Sequence, residues 1–109
     1  MLTKAQIFEV QDVKIEKVTI PEWSGHVFVR SMTSRERDDW ETGYSKDKSN
    51  MRATFAARTV CDEAGNLIFT DGDIEDLGRR SASALSRIFD VASKLNGYGK
   101  EDIEELEKN

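Results

Sequence analysis

The chain has 109 residues, of which 38% are hydrophobic and 34% charged, with a formal net charge of −5. Size scaling lets such a chain bury roughly two thirds of its unfolded surface, enough for one modest core built from short amphipathic elements and too little for two domains. The carboxylate excess disfavours a nucleic-acid backbone as partner, because that binding is driven by Lys and Arg, and no apolar run approaches the roughly 20 residues that span a bilayer.

The N-terminal "MLTKAQIFEV" lacks the charged start, apolar middle and small-residue cleavage site of a signal peptide, so a cytoplasmic location is expected. In "VKIEKVTI", residues 13 to 20, Val13 and Ile15 lie on one alternating phase and Val18 and Ile20 on the other. That switch predicts a strand interrupted by a bulge or bend. "PEWSG" supplies Pro21 and Gly25 for a turn, with Trp23 expected to pack in the turn or core. "HVFVR" then reads as a second strand, completing an antiparallel hairpin.

"TSRE" places Thr33 as N-cap with Glu36 three residues on, the capping-box spacing that predicts a helix from Ser34. Its body, "SRERDDWE", is polar apart from Trp40, the expected anchor of a surface helix. "TGYSKDKSN" has loop chemistry and is a candidate for disorder. Asn50 is a plausible N-cap for a helix over "MRATFAARTV", with Met51, Phe55 and Thr59 on one face, widened by Ala56 and Val60. "CDEAGNLIF" has the form of a turn through Asp62, Gly65 and Asn66, followed by a short run, Leu67 to Phe69, expected to be buried.

"TDGDIEDLG", residues 70 to 78, places four carboxylates within six residues, and a calcium loop is the first reading to test. With Asp71 at position 1, Asp73 and Glu75 fall at positions 3 and 5, but position 6 requires glycine and holds Asp76, and position 12 is Ala82, not glutamate. A helix start fits better: Thr70 as N-cap, Asp73 as its capping-box partner, and acids near the positive end of the helix dipole. Ile74 and Leu77 supply its buried face, and Arg79 and Arg80 suit its C-terminal end.

The strongest periodicity lies in "SASALSRIFDVASKLNG", where Leu85, Ile88, Phe89, Ala92 and Leu95 define one helical face. Ser81 can cap this core helix, and Asn96 and Gly97 offer left-handed residues to end it. The tail "GKEDIEELEKN" has helical composition with Ile103 and Leu106 as its only apolar anchors. The whole reads as an α+β domain over residues 1–109: a β-hairpin region (1–32) packed against three to four helices (33–98), then a polar tail or short helix (99–109).

Chemistry-bearing constellations are sparse. Cys61 and His26 are the only soft ligands, against the four or so that a structural zinc site needs, and a lone histidine beside a strand is a weak candidate base for a thiol or serine nucleophile. A single cysteine cannot form an internal disulfide. No catalytic residue, cofactor or metal is assigned. An irregular divalent-metal site at Asp71, Asp73, Glu75 and Asp76 is the remoter alternative, and an acidic module binding a basic protein another. Candidate partner-binding residues are Trp40, because tryptophan is enriched at hot spots, together with Ile103 and Leu106. The side of the core helix away from the hairpin is a further candidate surface.

In order along the chain, "PEWSGHVFVRSMTSRERDDWE", "VCDEAGNLIFTDGDIEDLGRRSASALSRIFDVASKLNG" and "EDIEELEKN" resemble the tail assembly chaperones of long-tailed bacteriophages and prophages. The resemblance runs over most of the chain and rests on the order of features. It implies a non-enzymatic assembly factor in the bacterial cytoplasm that keeps the tape measure protein soluble and extended. It also implies recruitment of tail tube protein, frequent self-association, and absence from the finished particle. Such families commonly make a longer product by −1 frameshifting, and Glu107-Lys108-Asn109 can be encoded GAA-AAA-AAC, a run on which a ribosome can slip.

Overall fold

The computed structural model describes residues 1–108. Its first element was not foreseen: Lys4–Glu9 forms helix α1, closed by a capping box in which Thr3 N donates to Gln6 Oε1 (2.9 Å) and Gln6 N to Thr3 Oγ1 (3.2 Å). None of its residues is buried.

The expected hairpin follows as β1 (Ile15–Ile20) and β2 (Gly25–Arg30), joined through a 3-10 turn at Pro21–Trp23. The expected bulge is absent, since the register runs unbroken from Ile15↔Arg30 to Ile20↔Gly25. The phase switch has another cause: successive side chains point to opposite faces, and both faces carry apolar residues. Val18 and Ile20 are buried on the core face, whereas Ile15 lies on the other, where its Cδ1 would stand 3.0 Å from a Cβ placed on Gly65. A third strand, β3 (Val60–Cys61), pairs with β2 through Phe28↔Cys61 and Val29↔Val60, giving an antiparallel sheet of order β1-β2-β3. Two residues are too few for a periodicity signal, and Val60 continues the apolar face of the preceding helix in the sequence.

Helix α2 (Ser34–Lys46) begins with the expected box, Thr33 N to Glu36 Oε1 (2.8 Å) and Glu36 N to Thr33 Oγ1 (3.2 Å). It runs on through Gly43 and Tyr44, where the composition predicts a loop. Packing explains the extension: the Tyr44 ring lies 5.3 Å from Trp40, which sits 5.0 Å from Phe55. Helix α3 (Met51–Thr59) buries Ala53, Phe55, Ala56, Ala57 and Thr59. Asn50 precedes it but does not cap it; at φ 53° its side chain turns away, and its Nδ2 donates to Glu75 Oε1 (3.4 Å).

After a 3-10 turn at Asp71–Asp73, the short helix α4 (Ile74–Gly78) buries Leu77. Helix α5 (Ala82–Leu95) is the core helix expected from its periodicity, with Ser81 Oγ accepting from Ala84 N (3.2 Å). It packs on the hairpin on one side and on α3 on the other, where Phe89 and Phe55 meet edge-on at 5.2 Å. The side away from the hairpin is thus covered.

The end of α5 is a two-bond C-terminal closure: Tyr98 N donates to Ser93 O (2.9 Å), and Gly97 N to Lys94 O (3.0 Å) with Gly97 at φ 81°. Only Gly97 takes the left-handed conformation. Asn96 stays at φ −91° and is buried, its Oδ1 accepting from Met32 N (2.6 Å) and its Nδ2 donating to Ala92 O (2.8 Å). It ties the strand-to-helix connection after β2 to the end of α5. Helix α6 (Lys100–Glu107) then returns to the body: the Tyr44 hydroxyl donates to the Leu106 carbonyl, and Arg52 pairs with Glu107 at 3.1 Å. The α+β class therefore stands: the 33–98 region holds four helices, within the expected three to four, α6 is the short helix expected as one alternative for 99–109, and α1 is the addition. The slippery codons proposed from the sequence end on Asn109, which lies outside the described residues.

Candidate interaction surface

The three partner-binding candidates from the sequence are spent largely within the chain. Trp40 is 1% exposed and sits at the centre of the Tyr44–Trp40–Phe55–Phe89 aromatic stack. Ile103 packs against the core cluster, and Leu106 is half-buried in the helix that Tyr44 and Arg52 hold. A single tryptophan in a polar helix marks an anchor without saying which surface it is anchored to.

The four carboxylates of the 70–78 segment do not converge. Asp71 pairs with Arg58, Asp76 with Arg79 (3.2 Å), and Glu75 accepts from Asn50. Asp73 Oδ2 accepts from both Thr70 N (2.8 Å) and Thr70 Oγ1 (3.2 Å). The expected box is therefore half made, because Asp73 N donates to the Thr70 carbonyl (3.0 Å) and not to its hydroxyl. Among the described residues no group of three His, Cys, Asp or Glu is placed to hold a metal ion.

Cys61 is 3% exposed on the sheet, and burial pushes its thiol above its ordinary range, which suppresses the thiolate needed for nucleophilic chemistry. His26 is exposed and packs edge-on against Phe28 at 5.4 Å. Asp62 orders the following turn: its Oδ1 accepts from Ala64 N and Asn66 N (both 2.9 Å) and its Oδ2 from Asn66 Nδ2 (3.2 Å). These donors, those of Asn66 foremost, hold its carboxyl below the usual aspartate range.

Apolar surface is instead concentrated in two places. In and beside α1, Leu2, Ile7, Phe8 and Val10 are each more than half exposed, Phe8 by 76%. Large apolar side chains left exposed along one short stretch are the kind of surface that a protein partner covers. The signal that finds it is "TKAQ", a Thr with Gln three residues on, ahead of "IFEV"; a helix of six residues is too short to announce itself by periodicity.

The second place is an open groove of about 690 Å³ lined by Trp23, Phe69, Asp73, Asp76, Leu77 and Arg80. Trp23 is 37% exposed there, at the hairpin turn. Beyond it Leu67 and Ile68 are exposed, contrary to the burial expected for the 67–69 run. The chain there makes little more than an edge contact, a bridge from Leu67 to Cys61 and a bond from Ile68 N to Val60 O (3.3 Å). Only Phe69 of the three is half-buried against the core.

No helix among the described residues is long and apolar enough to cross a membrane. No protein-family model matches the sequence, and no curated protein matches it. In structure the chain is similar to the tail assembly chaperone of bacteriophage HK97, with a TM-score of 0.64 at 17% sequence identity, over 88% of this chain and 95% of that one. At that identity the likeness is one of fold: the chain has the fold of a phage tail assembly chaperone, the family its sequence resembles.

Proposed function

We propose that this chain is a tail assembly chaperone of a long-tailed phage or prophage, a non-enzymatic factor that binds the tape measure protein and helps bring tail tube subunits to it. The observation that carries the reading is the fold likeness to the HK97 chaperone, which extends over nearly the whole of both chains. The exposed apolar residues of the N-terminal arm fit the same role, because a long helical partner is kept soluble by covering its apolar face.

In this reading the protein works in the bacterial cytoplasm, self-associates, and leaves before the particle is complete. Recruitment of the tube subunit falls to a longer product made by −1 slippage near Glu107-Lys108-Asn109. Trp40 serves by fixing α2 on α3, and Ile103 and Leu106 reach a partner when α6 lifts from Tyr44 and Arg52. Co-expression with the tape measure protein of the same gene cluster tests the reading. A soluble complex that co-purifies is expected; a tape measure protein that is equally soluble alone and fails to co-purify contradicts it.

A further inference from the structure

We propose that the free edge of β1, with the groove between it and α5, takes an extended peptide segment of a partner protein as a further strand, one that carries an acidic residue between two apolar ones. The inference goes beyond the chaperone reading and does not depend on it.

β1 is an outer strand of the sheet and pairs with β2 alone. Ser31 N donates to Lys14 O (2.8 Å), and the register runs on from there without a break, starting at Ile15↔Arg30. Bonded pairs alternate along an antiparallel ladder, so Glu16, Val18 and Ile20 turn their N–H and C=O groups to β2. Ile15, Lys17 and Thr19 turn theirs outward, and all three residues are exposed. Among the described residues no other part of the chain bonds these outward groups. Donors and acceptors at every second residue match an extended chain; a helix, whose own backbone groups bond internally, has none to offer them.

Beside this edge lie two open hollows of about 440 and 350 Å³ that share Asp90 and Val91. Glu16 lines the first from the strand side, and Lys17, Val18 and Thr19 line the second. From α5, Lys94 and Leu95 complete the first and Arg87 the second. Val91 and Leu95 stand one helical turn apart, half-buried, and supply the apolar surface. Side chains alternate along a strand, so an added segment whose middle residue lies opposite Lys17 directs its two neighbours to the α5 side, one opposite Glu16 and one opposite Val18. Around the hollows Glu16 and Asp90 stand against Lys94, and Arg87 is held by Glu22 (2.9 Å). Contact with Val91 and Leu95, not charge, therefore selects the residues that enter.

Lys17 selects the residue between them. It lies on the opposite face of the sheet, across from Phe28, and forms no ion pair among the described residues. A carboxylate directly across from it on the added strand gains a cross-strand pair. A second copy of this chain offers no such group: pairing two β1 edges along their full length about a two-fold axis sets Lys17 against Lys17. A lysine at mid-edge is a common guard against sheets pairing with their own kind.

Amide-resolved NMR of the full chain tests this with two blocked peptides, Thr-Val-Glu-Val-Thr and Thr-Val-Lys-Val-Thr, each titrated to millimolar concentration. Saturable shifts are expected at Ile15, Lys17, Thr19, Val91 and Leu95, with slower hydrogen exchange at the three strand amides and about fivefold tighter binding of the glutamate peptide. Lys17→Glu should reverse that preference. Lys17→Pro, which removes an outward N–H and leaves the bonds to β2, should abolish binding of both peptides. Circular dichroism checks that both variants are folded. The glutamate peptide N-methylated at its glutamate and threonines, the residues that face the edge, should not bind wild type. No saturable shift with either peptide, shifts gathered at Trp23 and Leu77 instead, or equal binding of the N-methylated peptide would overturn the proposal. Protection of the three amides that grows with protein concentration in the absence of peptide would also overturn it, assigning the edge to a second copy.

Discussion

At the scale of single residues, Asn96 shows how a right sequence cue can carry the wrong role. Asn followed by Gly after a helical face predicts a left-handed ending, and the ending is there, but Gly97 alone adopts φ 81°. Asn96 is free to turn its side chain inward, where it holds Met32 N and the Ala92 carbonyl and also reaches the Arg30 carbonyl (3.4 Å). No local pattern announces contacts across more than 60 residues. Replacing it by alanine leaves a part-buried N–H without its acceptor, and a loss of about 2 kcal/mol is expected. Urea unfolding of Asn96→Ala measures it; a midpoint equal to wild type would mean that water replaces the side chain at no cost. Trp40 is a similar case. The sequence marks it as the one large apolar residue of its helix, yet whether it faces a partner or the core depends on Phe55 and Phe89, which come from other elements.

Among the elements, α5 was legible because five apolar residues keep helical spacing over three turns, and α2 because a capping box marks its start. The extension of α2 over 42–46 was not, because it is stabilised by packing of Tyr44 and the local composition reads as loop. Helix α1 and strand β3 were hidden by their length. The 62–66 turn was legible from Asp62, Gly65 and Asn66, and its energetics are testable through pH. The donors around Asp62 depress its folded pKa, so the carboxylate stabilises the fold fully above its unfolded value, about 3.9. That contribution is lost as pH falls through the lower, folded value. The Glu22 carboxylate, bound to Arg87, and Asp47, bound by Ser49, are shifted in the same direction. Melting temperatures taken from pH 6 down to pH 2.5 should therefore fall below about pH 4, and fall less steeply in Asp62→Asn. Parallel curves for the two proteins would show that the turn is not linked to acid unfolding.

For the whole molecule, the radius of gyration is 14.6 Å, above the about 13 Å typical of a compact chain this long. The arm that precedes β1 presents its apolar residues outward instead of closing on the core. The candidate surface is therefore the least legible part of the sequence: "MLTKAQIFEV" shows by itself only that it lacks the pattern of a signal peptide, while its meaning as an arm depends on the core being complete without it. The fold class and the resemblance were legible because they draw on the order of many elements, each weakly marked. The reading of the chain as a chaperone is tested most directly in the phage or prophage that encodes it, by interrupting this gene alone and examining lysates by electron microscopy alongside mass spectrometry of purified wild-type particles. Tailless heads in the interrupted strain, and wild-type particles free of this chain, are the expected result. Normal tails without the gene, or the chain as a stoichiometric part of the finished particle, would contradict it.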